Sequence, residues 1–144
     1  MVGAMDNKPL GRTGVDIPEI GMGAWNYKGD PAIMHRALEL GSFLIDTAEN
    51  YGTEPQVGRA VQGKRDDYFI ATKVSPEHLS YDDVLAAAER SLKALGTDHI
   101  DLYQLHAPSA HVPIAETMRA MDELVAAGKV RFVGVSNFTV EELR

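Results

Sequence analysis

The chain has no cysteine, which excludes disulfides and thiol nucleophiles. It also has no run of basic residues, and its formal net charge is −7 over 144 residues. Nucleic-acid binders usually carry a Lys/Arg cluster, so this surface is expected to repel phosphate backbones. No apolar run approaches the roughly 20 residues of a membrane-spanning helix. Met1 to Leu10 lack the charged-then-apolar order of a secretory signal, and Met5 is a second candidate start. The expected setting is therefore the cytoplasm. Gly21-Met22-Gly23 lacks the further glycine and the strand-turn-helix setting of a dinucleotide fingerprint. His35, His78, His99 and His111 show no mutual ligand spacing, so no metal site is expected.

What remains is 44% hydrophobic, enough to bury the core of one domain. Lys8 to Pro18 reads as a short hairpin punctuated by Gly11 and Gly14. Five apolar segments follow, each predicted as a strand: Ile20–Ala24, Phe43–Asp46, Tyr68–Val74, Ile100–Leu105 and Val130–Val135. Helical patterns separate them. Asp30-Pro31 starts one, with Ile33, Ala37 and Leu40 as its predicted inner face. Glu54 to Gln62 is a short one. Ser80 caps the next, with Val84, Ala88, Leu92 and Leu95 inside and Gly96 closing it. Ile114 to Ala127 is the last, with Ile114, Met118, Met121 and Val125 on one face. This alternation predicts an α/β fold with a parallel sheet and helical crossovers. Thr139-Val140-Glu141-Glu142 has the form of a capping box that announces one more helix. We therefore expect a piece of a longer barrel.

Polar residues stand where the strands end: Asp46 with Tyr51 just after it, Lys73, His106, and Ser136-Asn137. In a parallel β/α barrel the carboxyl ends of all strands share one face, where barrel enzymes do their chemistry. A phenol has a reference pKa near 10, too high for a good acid at neutral pH unless it is tuned. A neighbouring ammonium stabilises the phenolate, and a carboxylate keeps that ammonium charged and aimed. An imidazole can hydrogen-bond the oxygen that the phenol protonates. The set suits proton donation to a carbonyl oxygen while hydride arrives at carbon. Each residue also has a bland reading: Asp46 as a loop cap, Tyr51 as a half-buried loop aromatic, Lys73 snorkelling to solvent, His106 as a satisfied core histidine, Ser136-Asn137 as a turn. Trp25 reads equally as a substrate-mouth residue or a rim cap. Gly23 reads as a place where a ligand approaches the backbone.

These residues resemble the aldo-keto reductase family. Asp46-Thr47-Ala48-Glu49-Asn50-Tyr51-Gly52-Thr53-Glu54 looks like its first signature, Thr72-Lys73 like its lysine strand, and Asp101-Leu102-Tyr103-Gln104-Leu105-His106 like its histidine strand. Gly128-Lys129-Val130-Arg131 through Gly134-Val135-Ser136-Asn137-Phe138 looks like its nicotinamide strand, and the likeness begins at Leu10-Gly11-Arg12-Thr13-Gly14. Ala107 stands where the family often has an aromatic, which bears on the shape of the substrate pocket.

The resemblance implies a parallel (β/α)8 TIM-type barrel. Residues 1–144 would then be the amino-terminal portion of a single barrel domain: five strands, a partial barrel, preceded by a short β-hairpin. It implies NADPH-dependent reduction of aldehydes and ketones, with NADH the alternative cofactor. Tyr51 would be the general acid, tuned by Lys73 and Asp46, and His106 would orient the carbonyl. Ser136 and Asn137 would hold the nicotinamide carboxamide, Gly23 and Asp46 would lie near the cofactor ribose, and Trp25 and His106 would meet a small-molecule carbonyl substrate. A full barrel needs about 250 residues, so weak cofactor binding and weak activity are expected of these residues alone. The rival reading is a non-catalytic half-barrel that self-associates or binds a partner through open sheet edges. A homo-oligomer is expected if 144 residues are the whole protein.

Overall fold

A computed structural model describes residues 5–144. The four residues before the second candidate start lie outside the described residues. The hairpin pairs β1 (Asn7–Pro9) antiparallel to β2 (Asp16–Pro18), with Lys8 opposite Ile17. Five parallel strands then form one sheet in sequence order: β3 (Met22–Gly23), β4 (Leu44–Asp46), β5 (Phe69–Val74), β6 (Ile100–Leu105) and β7 (Val130–Val135). The helices between them are α1 (Pro31–Glu39), α2 (Glu54–Val61), α3 (Tyr81–Leu95) and α4 (Ile114–Ala126).

The register aligns Gly23 with Asp46, Asp46 with Ala71, Lys73 with Gln104, and Gln104 with Gly134. Side chains alternate along a strand. One face of the sheet therefore carries Asp46, Lys73 and Gln104. The other carries Ile45, Ile70, Tyr103 and Leu105, all fully buried under the helices. Gly58 shows how closely those helices pack: a Cβ there would lie 2.6 Å from the Leu95 carbonyl oxygen of α3.

The helix ends follow their sequence signals. The Asp30 side chain accepts from Ala32 N–H at 2.8 Å at the start of α1. Gly96, left-handed at φ 63°, ends α3. Ser80 is the N-cap of α3, but its hydroxyl donates to Asp83 at 2.6 Å instead of capping the backbone, because a carboxylate is the stronger acceptor. The capping box forms as read: Thr139 N–H donates to Glu142, and Glu142 N–H returns to the Thr139 hydroxyl. The segment 140–143 is a turn.

Two inner faces differ from expectation. In α1, Met34 is buried, whereas Ile33 is 55% and Leu40 36% exposed. In α4, Thr117, Ala120, Met121 and Leu124 are buried, whereas Ile114 and Val125 are exposed. Thr117 tolerates burial because its hydroxyl donates to the Leu79 carbonyl at 2.6 Å.

Candidate active site

Backbone hydrogen bonds continue the sheet one step past each strand and fix the directions of the site residues. Ala24 N–H donates to Asp46 O, Thr47 N–H to Ala71 O, His106 N–H to Val74 O, and Ser136 N–H to Leu105 O, at 2.8–3.0 Å. Asp46, Lys73, His106 and Ser136 thus leave the sheet at one end and on one side.

Tyr51 reaches this group from a 3-10 turn, Glu49–Tyr51, that begins after Ala48 and closes on Gly52. Gly52 is left-handed at φ 67°, a conformation open to glycine without strain. The Tyr51 hydroxyl lies 3.5 Å from His106 Nε2, and the two rings meet edge to face at 5.3 Å. Lys73 Nζ lies 5.1 Å from the Tyr51 ring centroid.

Lys73 is only 6% exposed. A buried ammonium is costly unless it is paired and hydrogen-bonded. It donates to Asp46 Oδ1 at 2.6 Å and to the Thr47 carbonyl at 2.9 Å. The snorkelling reading of Lys73 therefore does not hold, because its charge is satisfied inside the site.

His106 is likewise not a satisfied core histidine. Its Nδ1 is buried and has no hydrogen-bond partner among the described residues. Burial, then the positive charge of Lys73, lowers its pKa, against weaker opposing effects of Asp46 and Glu77. The ring is therefore held neutral at pH 7. Its single proton belongs on Nε2, which faces the Tyr51 hydroxyl, because a proton on Nδ1 would have no acceptor.

At the end of β7, Asn137 is left-handed at φ 59°, a region where Asn is enriched. Its Nδ2 donates to His106 O at 2.7 Å and to Ser136 Oγ at 3.2 Å. That leaves the amide oxygen of Asn137 as an acceptor and the hydroxyl proton of Ser136 as a donor. Gly23, beside Asp46 in the register, has open space where a side chain would be. Trp25 is 70% exposed and takes no part in the contacts that join Asp46, Tyr51, Lys73 and His106.

Sequence reasoning missed Glu49. Its carboxylate accepts from Ser75 N–H at 3.1 Å, His78 Nδ1 at 3.0 Å and Arg90 Nη2 at 2.6 Å. Burial alone would raise its pKa, but the His78, Arg90 and Ser75 hydrogen bonds outweigh that and bring it to about 2. The only sequence signal was an acid two residues before the tyrosine. Glu54 also has a place, on the helix side, where burial raises its pKa and the Thr72 hydroxyl donates to it at 2.7 Å.

Comparison with known proteins gives one consistent result. The model of the aldo/keto reductase family matches residues 19–144. The chain is 38% identical to the aldo-keto reductase YhdN of Bacillus subtilis, over 96% of this chain and 49% of that protein. It is 39% identical to the methylglyoxal reductase YeaE of Escherichia coli, over 90% of this chain and 49% of that protein. Among solved structures, the thermostable aldo-keto reductase Tm1743, in complex with the inhibitor epalrestat, superposes with a TM-score of 0.91 at 42% identity, covering 96% of this chain and 56% of that one. An aldo-keto reductase from Klebsiella pneumoniae in complex with NADPH gives 0.85 at 37% identity, covering 90% of this chain and 49% of that one. The chain thus spans about half the length of the curated relatives it matches.

Proposed function

The chain belongs to the aldo/keto reductase family, and on that premise we propose that its strand-end cluster serves NADPH-dependent reduction of aldehydes or ketones, with Tyr51 as the proton donor. The carrying observation is the chain of contacts Asp46–Lys73–Tyr51–His106 on one face of the sheet. In this reading residues 1–144 are the amino-terminal portion of a single barrel domain. NADPH, with NADH as the alternative, is supported by the Klebsiella relative's complex.

The residues present fit a nicotinamide carboxamide. That group offers two N–H donors and one carbonyl acceptor, and Asn137 and Ser136 keep a free acceptor and a free donor respectively. Gly23 leaves the backbone beside Asp46 open to the cofactor's ribose side. Asn137, Ser136, Gly23 and Asp46 would hold the cofactor. When bound, it supplies the hydride to the carbonyl carbon.

The protein's own residues then handle the oxygen. Tyr51 and His106 Nε2 stand 3.5 Å apart, too far for a good hydrogen bond to each other. A carbonyl oxygen beside both can accept from both. Tyr51 transfers its proton to that oxygen as negative charge develops there, and neutral His106 keeps its own proton and orients the substrate. Lys73 stabilises the phenolate left behind, and Asp46 holds the ammonium in place. Trp25, 70% exposed on the loop after β3, would be free to meet substrate in this reading.

The decisive test is Tyr51→Phe, assayed by nicotinamide absorbance with an aromatic aldehyde. Removing the positioned proton donor should lower turnover about 10²–10⁴-fold. Wild-type turnover in that variant would end the assignment. The rival reading, self-association through open edges, draws on β3 and β7 being the terminal strands of the sheet. Light scattering on the 144-residue polypeptide should show an oligomer; a folded monomer at tens of micromolar with cooperative melting would refute this.

A further inference from the structure

Tyr51 sits on a turn that holds itself weakly. Its own backbone bonds are Tyr51 N–H to Ala48 O at 3.1 Å and Gly52 N–H to Glu49 O at 3.4 Å. A single 3-10 turn of this kind has poor hydrogen-bond geometry. The phenol nevertheless has to stay within reach of an oxygen shared with His106. The turn's other attachments run through Glu49 and through Thr47.

The Thr47 carbonyl is gripped from the inner face by Lys73 at 2.9 Å. Glu49 faces the other way, with its side chain only 14% exposed. Its carboxylate reaches Ser75, two residues beyond Lys73 on the segment leaving β5, His78 in the turn that follows, and Arg90 on α3. It stays ionised throughout the neutral range. Ala48, fully buried, lies between these two grips.

We propose that Glu49 is a positioning residue: by tying the tyrosine turn to Ser75 and Arg90, it aims the Tyr51 hydroxyl at His106. The inference rests on the general-acid reading of Tyr51. Among the described residues, the Glu49 carboxylate hydrogen-bonds to neither Tyr51 nor His106. It acts on where the turn lies relative to β5, while Lys73 and Asp46 act on charge. A loosened turn would misplace the phenol by a fraction of its reach, and a misplacement of about 1 Å costs on the order of 10²-fold in rate. Turnover should therefore fall with KM unchanged.

The test uses Glu49→Gln, which keeps shape and removes charge, and Arg90→Gln, on a half-exposed helix surface where folding should survive. Amide exchange at Tyr51 and Gly52 should accelerate about tenfold in both variants, as expected when a charge-assisted hydrogen bond is lost or reduced to a neutral one. The nuclear Overhauser contact between the Tyr51 and His106 rings should weaken, while amides of Ile70 and Tyr103 keep their rates. Unchanged exchange and an unchanged ring contact in both variants would overturn the proposal. Equal acceleration in β5 and β6 would also overturn it, by making Glu49 a general stabiliser. Tyr51→Phe in the aldehyde assay separates the two levels. Full turnover in that variant removes the general acid and any need to position it. Full turnover in Glu49→Gln beside an inactive Tyr51→Phe removes only the positioning role.

Discussion

Asp101, at the opposite end of the sheet from Tyr51, sets up a quantitative test. Its side chain is 2% exposed and its carboxylate is shared. One oxygen accepts from Arg65 at 2.7 Å and from the backbone N–H of Ile70 at 2.9 Å; the other accepts from Arg131 at 2.6 Å. Asp101→Ala removes the acceptor for all three donors and leaves Arg65, whose side chain is 16% exposed, without its counter-charge. Breaking a buried ion pair in this way costs about 3–5 kcal/mol. Some of that is recovered, because Arg65 also donates to Tyr68 O, His99 O and the Thr97 hydroxyl. About 3 kcal/mol is the expected loss. Arg131 is 47% exposed, so Arg131→Ala should cost no more than about 1 kcal/mol. Urea unfolding followed by circular dichroism, with an unchanged m-value, measures both. The ranking is the sharper part of the test. A loss below about 1 kcal/mol for Asp101→Ala, or equal losses for the two variants, would refute the view that burial of the shared carboxylate sets the cost.

Two further outcomes follow from the packing and the site. His106 has a lowered folded-state pKa, so the unfolded chain takes up that proton first as pH falls below about 6.5. Stability should decline with falling pH from there until the folded ring also protonates, and His106→Gln should flatten that part of the urea-midpoint profile; an unaltered slope would contradict the burial argument. Gly58→Val puts a branched side chain where a Cβ already meets the Leu95 carbonyl at 2.6 Å, and should cost about 1–3 kcal/mol or more by thermal melting, with a neutral result showing that α2 and α3 can move apart.

How much of this could be read in advance depended on range. The later strands were legible because short apolar runs between turn residues are strong local signals, and β6 and β7 begin and end where expected. β3 is shorter than its apolar run: the sequence predicts Ile20–Ala24, but only Met22–Gly23 pairs, and Ile20 is 66% exposed. The inner face of α3 is clear because Val84, Ala88, Leu92 and Leu95 repeat over about three turns. In α1, nine residues carry apolar side chains on more than one side, and the stripe that includes Met34 won over the one through Ile33. In α4 a buried threonine concealed the true face. Asp46, Lys73 and His106 were visible as polar residues closing apolar strands. The partners of Glu49 lie 26 to 41 residues away, on a loop and a helix surface, where no local pattern points to them.

The hydrogen bonds that carry the ladder past the strand ends also bear on how such a site can change over generations. Ala24, Thr47, His106 and Ser136 are each pinned to the neighbouring strand by a main-chain bond. One residue inserted upstream within a strand would turn its polar terminus to the helix side, since the side-chain period is two. One inserted a few positions downstream, in the stretch from Ala107 to Pro113 for example, lies outside the ladder and leaves those directions alone. Deletions and duplications are thus filtered by position, so that the loops after the strands can diversify in length while the polar positions at the strand ends vary only by substitution.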